Sequence, residues 1–144
     1  MKDLFVWTIG VIVALGSALG SSLGLGGAAT TRMALTQTLP AMNGTTLKVS
    51  AVEVSYAPGE SSAAHSHPCP VIGYVVDGAV TMKINDQPER TYRSGDGFFE
   101  AANGVHAVSA NASKTVPAKL LAVFVCDRET PLSVDVPNGR GGRP

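Results

Sequence analysis

The chain has 144 residues, 44% of them hydrophobic, and its eleven basic side chains are matched by eleven acidic ones. That length holds one compact domain, and that apolar content excludes a chain unable to bury a core. Balanced charge leaves no field of one sign for a nucleic-acid backbone or an anionic membrane surface, so nucleic acid is not an expected partner.

Residues 1–33 read as a leader. Leu4 to Thr31 contains no charged residue, and Leu4 to Leu15 is a dense apolar core behind Met1, Lys2 and Asp3. Small residues dominate from Gly16 to Ala29, as they do around a secretory cleavage point, and Ala18–Gly20 and Gly27–Ala29 are both candidate sites. The stretch is equally long enough to cross a hydrocarbon core of about 30 Å as a helix. A cleaved signal peptide and a retained single-pass anchor therefore stay open, beside a helix buried in the domain itself. The first two put the domain outside the cytosol, periplasmic or secreted, with the membrane touched only through this segment. The glycines of Gly24–Gly27 follow no strand and precede no lysine, so they do not form a phosphate loop.

Residues 34–136 read as strands. Thr46 to Ala51 alternates apolar and polar, and Val52 to Tyr56 alternates again with its phase shifted by one, which predicts a bulge or barrel bend. Val71 to Val76 and Ala79 to Ile84 flank Asp77-Gly78, the signature of a hairpin, and Asn85-Asp86 marks a further turn. Ala118 to Cys126 is apolar on both faces, so it should be covered on each side, by the interior and by a second sheet or subunit. Turn signals recur at Pro58-Gly59, Ser94–Gly97 and Asn103-Gly104. Many short strands at this spacing predict an all-β fold, a small antiparallel barrel or sandwich behind an apolar leader helix. Residues 137–144, rich in glycine with two arginines, read as an unpacked tail.

The chemistry rests on the three histidines. His65 and His67 are two apart, and in an extended strand such residues share a face, so both imidazoles can reach one point. His106 lies on a separate strand candidate that a barrel can bring opposite. The register of these residues resembles the cupin family. Its first motif, Gly-x5-His-x-His-x3-Glu-x6-Gly, is matched by Gly59, His65, His67 and Gly78, with Val71 in place of the glutamate. Its second, Gly-x5-Pro-x-Gly-x2-His-x3-Asn, is matched by Gly95 and His106, while Ala101, Asn103 and Ala110 depart from it. The resemblance spans about Thr46 to Asp135 and implies a jelly-roll barrel, a homodimer formed by sheet packing, and one divalent transition metal: iron, manganese, nickel, copper or zinc. Imidazole suits all of these.

Without the motif glutamate, three neutral imidazoles leave the ion's charge uncompensated, which favours an anionic ligand. Three-histidine cupins occur among thiol and diketone dioxygenases, so the resemblance admits an oxidoreductase acting on a small anionic molecule. The alternative is a non-catalytic barrel that binds or senses a small molecule, with the metal structural or absent. Cys69, two residues beyond His67, is a candidate soft ligand; pairing with Cys126 in a disulfide and burial as free thiols are its other fates. Tyr74 and Glu100 are candidate catalytic groups, as acid, base or hydrogen-bond donor. Ser62 and Ser66 are further polar candidates. Met82, Phe98, Phe99 and Phe124 read as barrel core.

Overall fold

The computed structural model describes residues 31–42, 44, 46–127 and 130–136. Most of the leader and the whole of the expected tail lie outside them. From Arg32 onward the chain forms a unit of its own. Among the described residues its strands are β1 (Leu47–Tyr56), β2 (His65–Ser66), β3 (Val71–Asp77), β4 (Ala79–Ile84), β5 (Arg90–Arg93), β6 (Gly97–Glu100), β7 (Val105–Asn111), β8 (Ala118–Asp127) and β9 (Val134–Asp135). They build two antiparallel sheets, one in the order β1-β8-β3-β6 and the other β5-β4-β7-β2-β9. The all-β expectation holds.

Strict alternation in the central strand β8 sets the interior. Ala118, Leu120, Ala122, Phe124 and Cys126 are buried, and the residues between them lie half-exposed on the outer face of the sheet. This is why the strand reads as apolar on both faces. Along β1 the inward residues are Ser50, Val52, Val54 and Tyr56, and the ladder to β8 runs without interruption from Leu47 to Tyr56. The predicted bulge is therefore absent. Leu47 and Val49 simply face outward, 44% and 65% exposed, and that orientation mimics a change of phase.

The predicted hairpin at Asp77-Gly78 is also absent. β3 pairs with β6 and β8, whereas β4 pairs with β5 and β7, so the chain crosses here from one sheet to the other. Gly78 makes the corner possible. Its φ of 69° lies in the left-handed region, and a side chain there would run into the backbone of Pro117 and Ala118. The local signal was right about the turn and silent about which strands it joins. The real hairpin is the next one, β4 with β5, around Asn85 at φ 52°.

Gly73 answers to a second steric demand. It faces Phe98 across the β3–β6 ladder, and the Phe98 ring lies where a Cβ on residue 73 would stand. The ring in turn packs 4.8 Å from Tyr92, centroid to centroid. Gly73→Ala must push Phe98 off this seat, and overpacking of this kind costs about 1–3 kcal/mol. Urea denaturation of the variant will show that loss as a lower midpoint at unchanged slope.

Candidate metal centre

Each histidine arrives by a different local route. β2 is only two residues long, held between β7 and β9, with His65 opposite His106 on one side and Asp135 on the other. Extended backbone carries His67 to the same face. His106 lies near the start of β7, which follows a tight turn at Asn103 with φ 65°. Asparagine tolerates that left-handed conformation, which accounts for its standing where the family motif has glycine. The Asn103 N–H donates to the His67 carbonyl at 2.7 Å, tying the two histidine segments together.

The result is a convergent set. Ligand-capable atoms of His65, His67 and His106 all lie within 4.8 Å of one another. The His65 and His106 rings stack at 4.7 Å with an interplanar angle of 4°, and His67 stands edge-on to both. Nδ1 of His65 pairs with the Ala63 carbonyl at 2.7 Å, and Nδ1 of His67 with the Leu132 carbonyl at 2.6 Å. Such bonds fix the tautomer, placing the proton on Nδ1 and leaving the Nε2 lone pair for a metal. The donor identity and proximity of all three rings, with the tautomer of His65 and His67, fit one divalent ion.

Glu100 completes the group. It is 4% exposed, and its Oε2 lies 2.7 Å from His106 Nε2 and 3.8 Å from His67 Nε2. Val71 stands in place of the motif glutamate as expected, and the carboxyl group beside the histidines is that of the candidate Glu100, brought in from β6. This contact is also the only hydrogen bond of the buried His106 side chain among the described residues.

Tyr74 does not join them. The inward residues of β3 are Val71, Gly73 and Val75, so Tyr74 faces outward and is 40% exposed. Cys69 is no thiolate either, because it is bonded to Cys126 in a disulfide. Ser66 alternates away between the two histidines, whereas Ser62 does reach the site. Two residues with no signal in the sequence motifs, Tyr56 and Ser109, join Ser62 to supply the remaining polarity. The buried Tyr56 hydroxyl hydrogen-bonds Ser62 Oγ at 2.8 Å and Ser109 Oγ at 2.9 Å. All three line a cavity of about 100 Å³ shared with the histidines, Glu100, Met82, Phe98 and Phe124. Met82, Phe98 and Phe124 are thus barrel core and site wall at once, whereas Phe99, expected in the core, alternates to the outer side of β6. Inward parity along Val52, Val54 and Tyr56 was the signal that could have revealed the tyrosine.

Burial dominates the titration of His67. Loss of solvent pushes its pKa below 6.5, with His106 and His65 acting the same way, against the opposing Leu132 hydrogen bond and the Glu100 charge. On acidification the unfolded chain takes up this proton before the folded one does. Stability of the metal-free protein is therefore full above pH 6.5 and declines as pH falls through the lowered folded value. Melting curves of the metal-free protein between pH 7.5 and 5 will show the decline, and a flat profile would remove His67 as its source.

Comparison with known proteins agrees with this geometry. No curated protein sequence gives a significant match. Among solved structures, an oxalate oxidase in complex with the substrate analogue glycolate superposes at a TM-score of 0.53 with 28% identity, over 61% of this chain and 46% of that one. Another oxalate oxidase structure gives 0.53 and 27%, over 67% and 52%. The DMSP lyase DddQ from Ruegeria pomeroyi DSS-3 gives 0.54 and 22%, over 66% and 45%, a likeness of fold alone. The chain spans about half the length of these matches. A family model described as the Cupin domain matches residues 52–124, a span that holds all three histidines and Glu100, and the chain belongs to the cupin family.

Proposed function

We propose that this cupin is an exported or membrane-tethered metal-dependent oxidoreductase of dioxygenase type, acting on a small anionic molecule. The observation that carries the reading is the convergence of three imidazoles and a buried carboxylate on one small, largely apolar cavity. A divalent ion held by His65, His67 and His106 would supply Lewis acidity and, for a redox-active metal, a route for electrons from substrate to dioxygen.

The cavity argues for size. About 100 Å³ equals roughly three waters of liquid volume, far below the several hundred Å³ of a drug-sized pocket. It suits a molecule of few atoms, in keeping with the small carboxylate in the glycolate complex of the similar oxalate oxidase. The Tyr56, Ser62 and Ser109 hydroxyls can orient such a molecule by hydrogen bonding, while Phe98, Phe124 and Met82 exclude bulk water. Arg90 lines an adjoining cavity of about 310 Å³ that shares Met82 and Glu100 with the first, a favourable approach for an anion. Catalysis would then consist of binding and holding the substrate against the ion in a dry site.

The Cys69–Cys126 disulfide and the apolar leader both support an extracytoplasmic location, since disulfides persist in oxidising compartments. Exposed Leu47, Val49, Tyr74 and Val76 on the outer face of the β1-β8-β3-β6 sheet favour a homodimer through that face.

The test is elemental analysis of the protein purified without a histidine tag, followed by oxygen-uptake assays with two-carbon carboxylates, thiols, diketones and phenols. Near one equivalent of iron, manganese, nickel or copper with substrate-dependent oxygen consumption supports the proposal. Small-molecule binding without turnover under every metal would replace it with the binding-barrel reading, and zinc as the sole metal would redirect it to hydrolytic or structural roles.

A further inference from the structure

We infer that Glu100 is the fourth protein donor of this centre, so that the carboxylate missing at position 71 reaches the same point from the facing strand. The inference rests on the three-histidine metal reading and adds a ligand to it. Val71 and Glu100 are direct partners in the β3–β6 ladder. Directly opposed residues of an antiparallel pair carry their Cβ atoms ~4.5–5.5 Å apart on the same face. Both are buried, at 1% and 4% exposure, so both point inward. A glutamate on either strand is aimed at the same space.

The distances bracket those of ligation. Two donors each ~2.1 Å from one ion and about 90–109° apart around it stand ~3.0–3.4 Å from one another. The carboxylate oxygen is 2.7 Å from one imidazole nitrogen and 3.8 Å from another, on either side of that range. The choice of nitrogen separates ligation from an orienting role. An orienting partner binds the ring nitrogen that faces away from the metal. At His67 the Leu132 carbonyl fills that role on Nδ1 and Glu100 stands 3.8 Å from the opposite nitrogen, Nε2, while at His106 Glu100 stands 2.7 Å from Nε2 and Nδ1 has no hydrogen-bond partner among the described residues. Valine at 71 is then consistent with the move, because a second carboxylate beside Glu100 would create a buried like-charge pair.

The experiment titrates Mn²⁺ and Ni²⁺ separately into the metal-free full chain, its Glu100→Gln variant and the Glu100→Gln/Val71→Glu double variant. Oxygen donors suit manganese and imidazole suits nickel, so loss of a ligating carboxylate must change selectivity as well as affinity. Glu100→Gln should weaken Mn²⁺ by about 100-fold and Ni²⁺ by about 10-fold or less, and Val71→Glu should restore most of the manganese affinity. Equal losses for both ions, or none, would overturn the assignment while leaving the three histidines in place. If the unaltered chain bound neither ion, the metal reading itself would fall. Should Glu100→Gln not fold, the swap Val71→Glu/Glu100→Val carries the test: a retained manganese preference supports the assignment and its loss overturns it.

Discussion

His65→Ala will strip the protein of stoichiometric metal while leaving it folded. His65 is the most accessible of the three rings, half-buried and held by a single local bond to Ala63, so its removal opens little of the interior. Losing even an outer partner of a metal ligand costs 10–100-fold in affinity, so the loss of this imidazole donor should cost about 100-fold or more. His106→Ala is a poorer probe. That ring is 3% exposed and is the hydrogen-bonded partner of Glu100, and its loss would strand a carboxylate in the interior. Leaving one partner of a buried hydrogen bond unsatisfied costs ~1–3 kcal/mol, so this variant conflates metal loss with loss of stability. Metal content per chain, measured beside a melting curve, separates the two effects. Full occupancy in His65→Ala would move the site elsewhere.

Removing the disulfide will produce the largest loss of stability. Cys69 lies two residues beyond His67 and Cys126 lies on the central strand β8, 57 positions further along the chain. Closing a loop of that length restricts the unfolded chain by about 4 kcal/mol. A domain of roughly 100 residues has a total stability of only ~5–15 kcal/mol, so the bridge is a large fraction of it. Cys69→Ser/Cys126→Ser should therefore lower the melting temperature by roughly 15–30 °C, and reductant should act likewise on the unaltered protein. A shift of only a few degrees in both experiments would mean the bridge does not form in the native protein. The link also fastens the His67 segment to β8, so metal affinity should weaken with stability.

The histidine set was legible because spacing and period agree: two residues apart on extended chain forces a shared face, and the motif register supplied the third. Polar residues around it were hidden by events no period shows. In β7, Lys83 pairs with Val108 but Ile84 pairs with His106, so Ala107 is the extra residue of a bulge. His106 and Ser109 both face the cavity despite an odd spacing that simple alternation would assign to opposite faces. Glu100 was legible as a candidate only, since its value depends on the pairing of β6 with β3 and therefore on non-local register. Tyr74 failed for the opposite reason. Its strand is regular from Val71 to Val75, and counting from Val71 puts it outside. The turn at Asp77-Gly78 shows the remaining limit: dihedral preference specifies a corner, but the partners of each strand are chosen by the whole hydrophobic pattern.

The hydrogen bond from His67 to the Leu132 carbonyl spans 65 positions of sequence. β9, which borders the two-residue strand β2, comes later still. A ribosome adds residues in order at about 5–20 per second, so the His67 ring waits roughly 3–13 s for the carbonyl that orients it. During that interval β2 has one flank open and the imidazole is free to turn. Orientation of His67 is consequently late in the folding of this domain, and an ion that requires the ring in place can be taken up only after Leu132 and β9 have joined it.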